Sequence, residues 1–129
     1  MRLAKWVFRV AGVYGIVMLA PAYFLETTFT DSLHPEFYYG FLGVGLAFQA
    51  LFLMLASDPS RYRPMMIPAI LEKVSYGVAT FWLFFADRAD SSVLLGGCVD
   101  WLFVGLFAWA YLATAPSQEV QRGLRVRAA

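Results

Sequence analysis

Residues 67–86, IPAILEKVSYGVATFWLFFA, decide the interpretation of this chain because they place Glu72 and Lys73 inside an apolar run. A helix of about 20 residues is long enough to cross the ~30 Å hydrocarbon core of a bilayer. Two adjacent charges in such a helix need protein partners or water. The run therefore predicts a membrane span whose ionic groups are satisfied inside the protein.

The composition of the chain supports a lipid environment. Of its 129 residues, 60% are hydrophobic and only 15% are charged, whereas soluble domains carry about 25% charged residues. The apolar runs lack the strict alternation of strands and exceed the usual strand length. The sequence predicts one all-α domain, residues 1–129, folded as a four-helix transmembrane bundle. The predicted spans cover about 6–25, 38–56, 68–86 and 93–114.

The positions of the charges predict the direction of these spans. Eight of the ten basic residues fall on one side of the membrane if the chain crosses it four times: Arg2, Lys5, Arg9, Arg61, Arg63, Arg122, Arg125 and Arg127. The other side holds Arg88 among five carboxylates. Positively charged flanks stay in the cytoplasm, so both termini are predicted to be cytoplasmic. In the basic tail, residues 115–129, Arg122, Arg125 and Arg127 are predicted to hold anionic lipid headgroups.

Glu72 has two alternative roles on the sequence alone. Its side chain is short, and Arg61, Arg63 or Arg9 is expected to pair with it, which would attach the basic cytoplasmic loop to the bundle. Alternatively, Glu72 lines a polar cavity together with Tyr76, which shares its helix face at i+4. Lys73 has a long stem and is expected to reach the membrane interface.

Asp100 lies within the fourth span, about 10 Å from its outer boundary at about 1.5 Å per residue. A carboxylate at such depth costs about 2.5–3.5 kcal/mol on insertion scales, so it must be paired, hydrated or protonated. Direct pairing with Lys73 is not expected from their axial positions, and Gln49, Tyr14 and Arg88 are the candidate partners. Five residues are thus candidates for a polar cavity or ligand site: Asp100, Glu72, Lys73, Tyr76 and Gln49.

Small residues are expected to allow close helix packing in lipid. The candidate pairs are Ala11 with Gly15, Gly43 with Ala47, and Gly105 with Ala108. Cys98 lies in an apolar setting and is expected to be a small buried hydrophobe. Residues 87–92, DRADSS, predict a polar turn that caps the fourth helix.

The sequence contains no recognisable catalytic constellation. The only histidine, His34, lies in a predicted loop, the only cysteine lies in an apolar helix, and no serine occupies a nucleophile elbow. His34 and Glu36 make at most a partial metal site, and since the sequence has no second histidine, a metal centre is not predicted. The pattern favours a non-catalytic protein, identifies no cofactor, and lacks a basic stripe for nucleic acid.

Residues 35–79, PEFYYGFLGVGLAFQALFLMLASDPSRYRPMMIPAILEKVSYGVA, resemble small bacterial four-helix membrane proteins, and the overall layout resembles the DoxX-like superfamily. The resemblance implies a multi-pass protein of the bacterial inner membrane. Some members of that superfamily are implied to be membrane subunits beside oxidoreductases that feed electrons to quinone, so the resemblance favours an accessory or quinone-linked role. It supplies no catalytic residue set.

Three functions follow as hypotheses. The first is a membrane subunit or scaffold that packs against other membrane proteins or copies of itself, in a redox or energy-converting complex. The second is a lipid- or quinone-binding protein with a polar cavity near Glu72, Tyr76, Gln49 and Asp100. The third is a small oligomeric transporter with Asp100 and Glu72 on one polar path.

Overall fold

The computed structural model describes residues 1–26 and 34–115, and these ranges contain four long α-helices and no strand. The helices are α1 (Arg2–Leu19), α2 (Pro35–Ser57), α3 (Met66–Phe85) and α4 (Ser91–Ala113). The predicted all-α class and the count of four helices are confirmed. Arg122, Arg125 and Arg127, with their predicted contacts to lipid headgroups, lie outside the described residues.

Prolines set several helix boundaries. α1 is followed by a short 3-10 turn, Pro21–Phe24, because a proline cannot donate the backbone hydrogen bond that would continue the α-helix. Pro35 is the first residue of α2, where its missing N–H costs nothing. A second 3-10 turn, Arg63–Met65, leads into α3.

The turn between α3 and α4 begins with a Schellman motif at the end of α3. The backbone N–H of Arg88 donates to the carbonyl of Leu83 at 2.9 Å, and that of Asp87 donates to Phe84 at 3.1 Å. Asp87 has a positive φ of 53°, the left-handed conformation that this motif requires after the last helical turn. The motif closes the end of α3 and turns the chain back toward α4.

Asp90 then caps α4, as the polar turn predicts. Its Oδ1 accepts from the backbone N–H groups of Ser92 at 2.9 Å and Val93 at 3.2 Å, and from the Ser92 hydroxyl. The Ser92 hydroxyl, followed by these two N–H groups, stabilises the carboxylate and lowers the pKa of Asp90. The predicted cap is confirmed.

The helices form two hairpins that meet at one end. α1 packs mainly on α2, and α3 packs mainly on α4. The hairpins join around an aromatic core in which the Phe107 ring lies 4.5 Å from Phe8 and 5.1 Å from Phe52. The start of α1, the end of α2, the start of α3 and the end of α4 all contribute to this core. All four helices are therefore packed together in one half of the bundle, the half that contains the start of α1.

The small residues at the close helix contacts are mostly different from the predicted ones. Gly15 faces Gln49 across the α1–α2 contact, and Gly77 faces Trp101 across the α3–α4 contact, so that a Cβ at either position would collide with its neighbour. Of the three predicted pairs, only Ala11 with Gly15 is buried. Gly105 faces open space, and Ala47 is exposed. The spacing of small residues predicts that they share a helix face, but it does not show whether that face is directed toward another helix.

The surface of the bundle is apolar, whereas several polar side chains are buried. Large apolar residues such as Trp82, Phe85 and Leu102 are exposed, while Gln49 and Thr80 are almost fully buried. Extensive exposed apolar surface marks a protein that meets a membrane or another protein. Cys98 is exposed on this surface, so the prediction that it is buried is wrong.

Three segments are long and apolar enough to cross a membrane: Arg2–Phe24, Pro35–Ser57 and Ser91–Ala113. α3 is not among them, although it has 20 residues. Its sequence contains Glu72 and Lys73 together with Ser75 and Thr80, which lower its hydropathy. The third predicted span, 68–86, is thus a helix, but its composition alone does not qualify it as one that crosses a membrane.

Candidate functional site

A cluster of three charged side chains joins α3 to α4. The ammonium Nζ of Lys73 lies 3.2 Å from Glu72 Oε2 and 3.2 Å from Asp100 Oδ1. The side chains of Lys73 and Asp100 are only 9% and 8% exposed. We call Glu72, Lys73 and Asp100 the ionic cluster.

The expectation that Lys73 and Asp100 are too far apart is wrong, and helix geometry shows why. α3 begins at Met66, so Lys73 lies about 10 Å along it, and Asp100 lies about 13 Å from the start of α4 at Ser91. The helices are antiparallel neighbours, and α3 is about 30 Å long. The axial gap left between the two residues is about 7 Å, which the flexible stem of a lysine spans.

The arginines predicted to pair with Glu72 have other partners. Arg63 Nε donates to the carbonyl of Tyr111 at 3.0 Å, and its guanidinium lies 3.7 Å from the centre of the Tyr111 ring. The guanidinium of Arg61 lies over its own neighbour Tyr62. Arg9 lies over Trp6. The predicted Glu72–arginine contact is therefore wrong, and Arg63 fixes the loop to the end of α4 instead.

The two oxygens of Glu72 are not equally satisfied. Lys73 donates a hydrogen bond to Oε1 at 3.4 Å. Oε2 is nearer to the ammonium, at 3.2 Å, but it is buried and accepts no well-aligned hydrogen bond. Both oxygens are thus attracted to the Lys73 ammonium, but only Oε1 accepts a hydrogen bond from it.

Gln49 presents a second unsatisfied acceptor from α2. The residue is 1% exposed, and its Nε2 donates to the carbonyl of Gly45 at 2.9 Å. Because a carbonyl only accepts, this bond fixes the orientation of the amide. Oε1 then lies toward Gly15 of α1, buried and without a donor. A buried acceptor without a donor costs about 1–3 kcal/mol.

A cavity of about 410 Å³ lies between the hairpins, next to the ionic cluster. All four helices contribute to its wall, in the half of the bundle that the aromatic core does not fill. The five site residues predicted from the sequence, Asp100, Glu72, Lys73, Tyr76 and Gln49, all line it. Beneath the cluster, Lys73 Nζ lies 5.4 Å from the centre of the Phe52 ring, at the edge of the aromatic core.

The rest of the wall is aromatic and aliphatic. Tyr14, Tyr38 and Phe41 line the cavity, and the rings of Phe41 and Tyr76 lie 5.9 Å apart. Tyr38 also donates from its hydroxyl to the carbonyl of Ala22 at 2.7 Å, which ties α2 to the turn after α1.

Sequence reasoning missed part of this wall. Tyr38 and Phe41 also line the cavity, although neither was predicted to be a site residue. Tyr14 was a candidate partner of Asp100, and it packs beside Phe103 with ring centres 5.9 Å apart. Arg88, another candidate partner, is exposed. The sequence did contain a signal for this wall, because Tyr14, Tyr38 and Tyr76 all lie in the middle or the outer half of their predicted helices.

This arrangement can bind an organic molecule that has one polar end. The cavity has the size of common small-molecule pockets, which are mostly apolar and contain a few polar groups that orient the ligand. Here the polar groups lie together at one end, and aromatic rings form much of the remainder. No family model, curated protein or solved structure matches this chain.

Proposed function

We propose that this chain is an integral membrane protein of four transmembrane helices that binds a small amphiphilic molecule in the cavity beside the ionic cluster. The observation that carries the proposal is the placement of Glu72, Lys73, Gln49 and Asp100 around one cavity of about 410 Å³. Tightly packed side chains around these groups would have favoured a purely structural role.

α3 crosses the bilayer in this proposal although it is the one long helix of the described residues whose composition alone does not qualify it as a membrane span. Its charged residues face the cavity and α4, and Lys73 is buried. Ionic residues that face the interior of a bundle and pair with one another are the form in which charges occur in membrane spans. A crossing of α3 also puts the basic 58–65 loop and the 86–90 turn, which holds two carboxylates and one arginine, on opposite sides, as the positive-inside rule expects.

A subunit or scaffold role requires no cavity, and for this reason it is the second candidate. The observation in its favour is the exposed apolar surface, which includes small residues that face open space at Gly40 and Gly105. A second membrane helix could approach closely there. A place in an oxidoreductase complex, as the DoxX-like resemblance implies, belongs to this second candidate.

A matched pair of glycine variants tests the proposal. Gly96 lines the cavity and faces the Tyr76 hydroxyl at 3.7 Å from an added Cβ, so Gly96→Leu fills the cavity. Gly105→Leu adds the same side chain to the same helix at a position that faces open space. Both changes replace a helical glycine, so their effects on helix propensity are equal.

The protein and both variants are purified in dodecyl maltoside and heated with decylubiquinone, lysophosphatidylcholine or 1-naphthylmethylamine. We expect at least one compound to raise the melting temperature of the wild type and of Gly105→Leu, but not of Gly96→Leu. Three compounds that leave the wild type unchanged, or that stabilise all three proteins equally, would contradict binding in this cavity.

A further inference from the structure

The charges around the cavity do not balance. Glu72 and Asp100 carry one negative charge each, and Lys73 carries one positive charge, so the ionic cluster has a formal charge of −1. No other charged side chain of the described residues lines the cavity. Burying an ion costs several kcal/mol unless an opposite charge compensates it.

The other basic residues in the described part of the chain lie elsewhere. Arg63 is held at the Tyr111 carbonyl and Arg9 over the ring of Trp6. Arg88 lies in the exposed turn after α3. The charge that balances the cluster is therefore either a proton on one of the two carboxyl groups or a cation from outside the described residues, and the probe series below distinguishes the two.

The unsatisfied hydrogen-bonding atoms indicate the same chemistry. Both buried polar atoms without a hydrogen-bond partner in the described residues, Gln49 Oε1 and Glu72 Oε2, are acceptors. A ligand that reached either atom would therefore have to donate a hydrogen bond to it. A quinone offers only carbonyl acceptors at its ring, and a phosphate would bring more negative charge to a cluster that already has an excess.

The apolar wall favours an organic cation over a hydrated metal ion. Tyr14, Tyr38, Phe41 and Tyr76 offer aromatic rings, and the faces of such rings attract ammonium groups. Met18 and Leu19 add aliphatic surface. A hydrated metal ion prefers oxygen ligands and water to such a surface.

From the net charge, the two unmatched acceptors and the aromatic wall together, we infer that the cavity binds a monovalent organic cation, a protonated amine with an apolar body. The inference rests on the proposed function and specifies its ligand class. The ammonium group lies against Asp100 and Glu72, and the apolar body lies among the aromatic rings.

A series of three probes with one apolar body and different charges tests the inference. At pH 7, 1-naphthylmethylamine is a cation, 1-naphthalenemethanol is neutral and 1-naphthoate is an anion. Binding of each is measured by isothermal titration calorimetry to the protein in dodecyl maltoside, with Gly96→Leu in the same micelles as the control for partition into detergent.

We expect the amine to bind at least tenfold more tightly than the alcohol, and the carboxylate to bind most weakly. Asp100→Asn should reduce the affinity for the amine at least tenfold and leave that for the alcohol within about twofold. Glu72→Gln provides the same comparison if Asp100→Asn does not fold. Gly105→Leu should bind all three probes as the wild type does.

The outcomes separate the inference from the function on which it rests. If the alcohol or the carboxylate binds as tightly as the amine, and Gly96→Leu abolishes that binding, the cavity is a binding site but the cationic ligand class is wrong. If none of the three probes binds the wild type more tightly than Gly96→Leu, the proposed function and the inference both fail.

Discussion

Replacing Lys73 by methionine removes the only positive charge of the ionic cluster and keeps most of the volume of the side chain. Glu72 and Asp100 then face each other without a cation between them. Each contacting oxygen lies 3.2 Å from Nζ, so the two oxygens are at most twice that distance, or 6.4 Å, apart.

The magnitude follows from this distance. Two like charges at 6.4 Å repel by about 2.5 kcal/mol at an effective dielectric constant of about 20. Removing one partner from a buried ion pair typically costs about 3–5 kcal/mol. We therefore expect Lys73→Met to lower the free energy of unfolding by about 3–5 kcal/mol.

Loss of a single carboxylate should have a much smaller effect. In Asp100→Asn, Lys73 retains Glu72 as its partner and the cluster becomes neutral, so we expect a cost of about 1 kcal/mol. The triple variant Lys73→Met, Glu72→Gln and Asp100→Asn carries no charge. It should recover much of the stability that Lys73→Met loses, as uncharged replacements of buried ionic groups often do.

The assay is unfolding by sodium dodecyl sulphate in mixed micelles, followed by circular dichroism at pH 7. Repeating it at pH 5 adds a check, because a proton on one carboxyl group replaces the lost positive charge and should reduce the effect of Lys73→Met. Equal costs for Lys73→Met and Asp100→Asn would refute the charge imbalance, and so would a triple variant less stable than Lys73→Met.

Two further predictions concern the ends of α4. Asp90→Ala should lower the melting temperature and Asp90→Ser should largely preserve it, because serine also caps helices. Since the pKa of Asp90 is lowered in the fold, the stabilisation by its carboxylate should be complete above the unfolded pKa of about 4 and be lost as the pH falls through the lower folded pKa. If the melting temperature of Asp90→Ala depended on pH as that of the wild type does, this role of Asp90 would be contradicted. Arg63→Lys should destabilise the protein by about 1 kcal/mol, because lysine keeps the charge but loses the planar stacking on Tyr111. Thermal unfolding is compared with that of Arg61→Lys, a control in the same loop, and equal melting temperatures of the two variants would contradict the role of Arg63.

Much of the fold could be predicted from the sequence because its signals are local. Apolar runs separated by polar turns indicate four helices, and a carboxylate at position 90 before a serine pair indicates a cap. The faces of the helices were harder to predict. α4 is apolar on nearly all sides, so no periodicity shows whether Cys98 or Asp100 points inward, and Cys98 proved to be exposed.

The ionic cluster could be predicted only in part because it depends on small differences in helix length. α3 begins at Met66, not at 68, and α4 begins at Ser91, not at 93. A shift of two residues in the start of a helix moves a side chain by about 3 Å along the axis. A shift of this size decides whether Lys73 is expected to contact the membrane interface or Asp100. The contact of Gly15 with Gln49 involves different helices, and no local signal announces it.

The most direct test of the account is whether α3 crosses the membrane. Single cysteines are introduced as Ser60→Cys, before α3, and as Ala89→Cys, after it, in a Cys98→Ser background, and a membrane-impermeant maleimide is added to intact cells and to inverted vesicles. We predict that Ala89→Cys reacts in intact cells, whereas Ser60→Cys reacts only in inverted vesicles. Reaction of both cysteines from the same side would show that the helix with the ionic cluster does not cross the bilayer and would contradict the account.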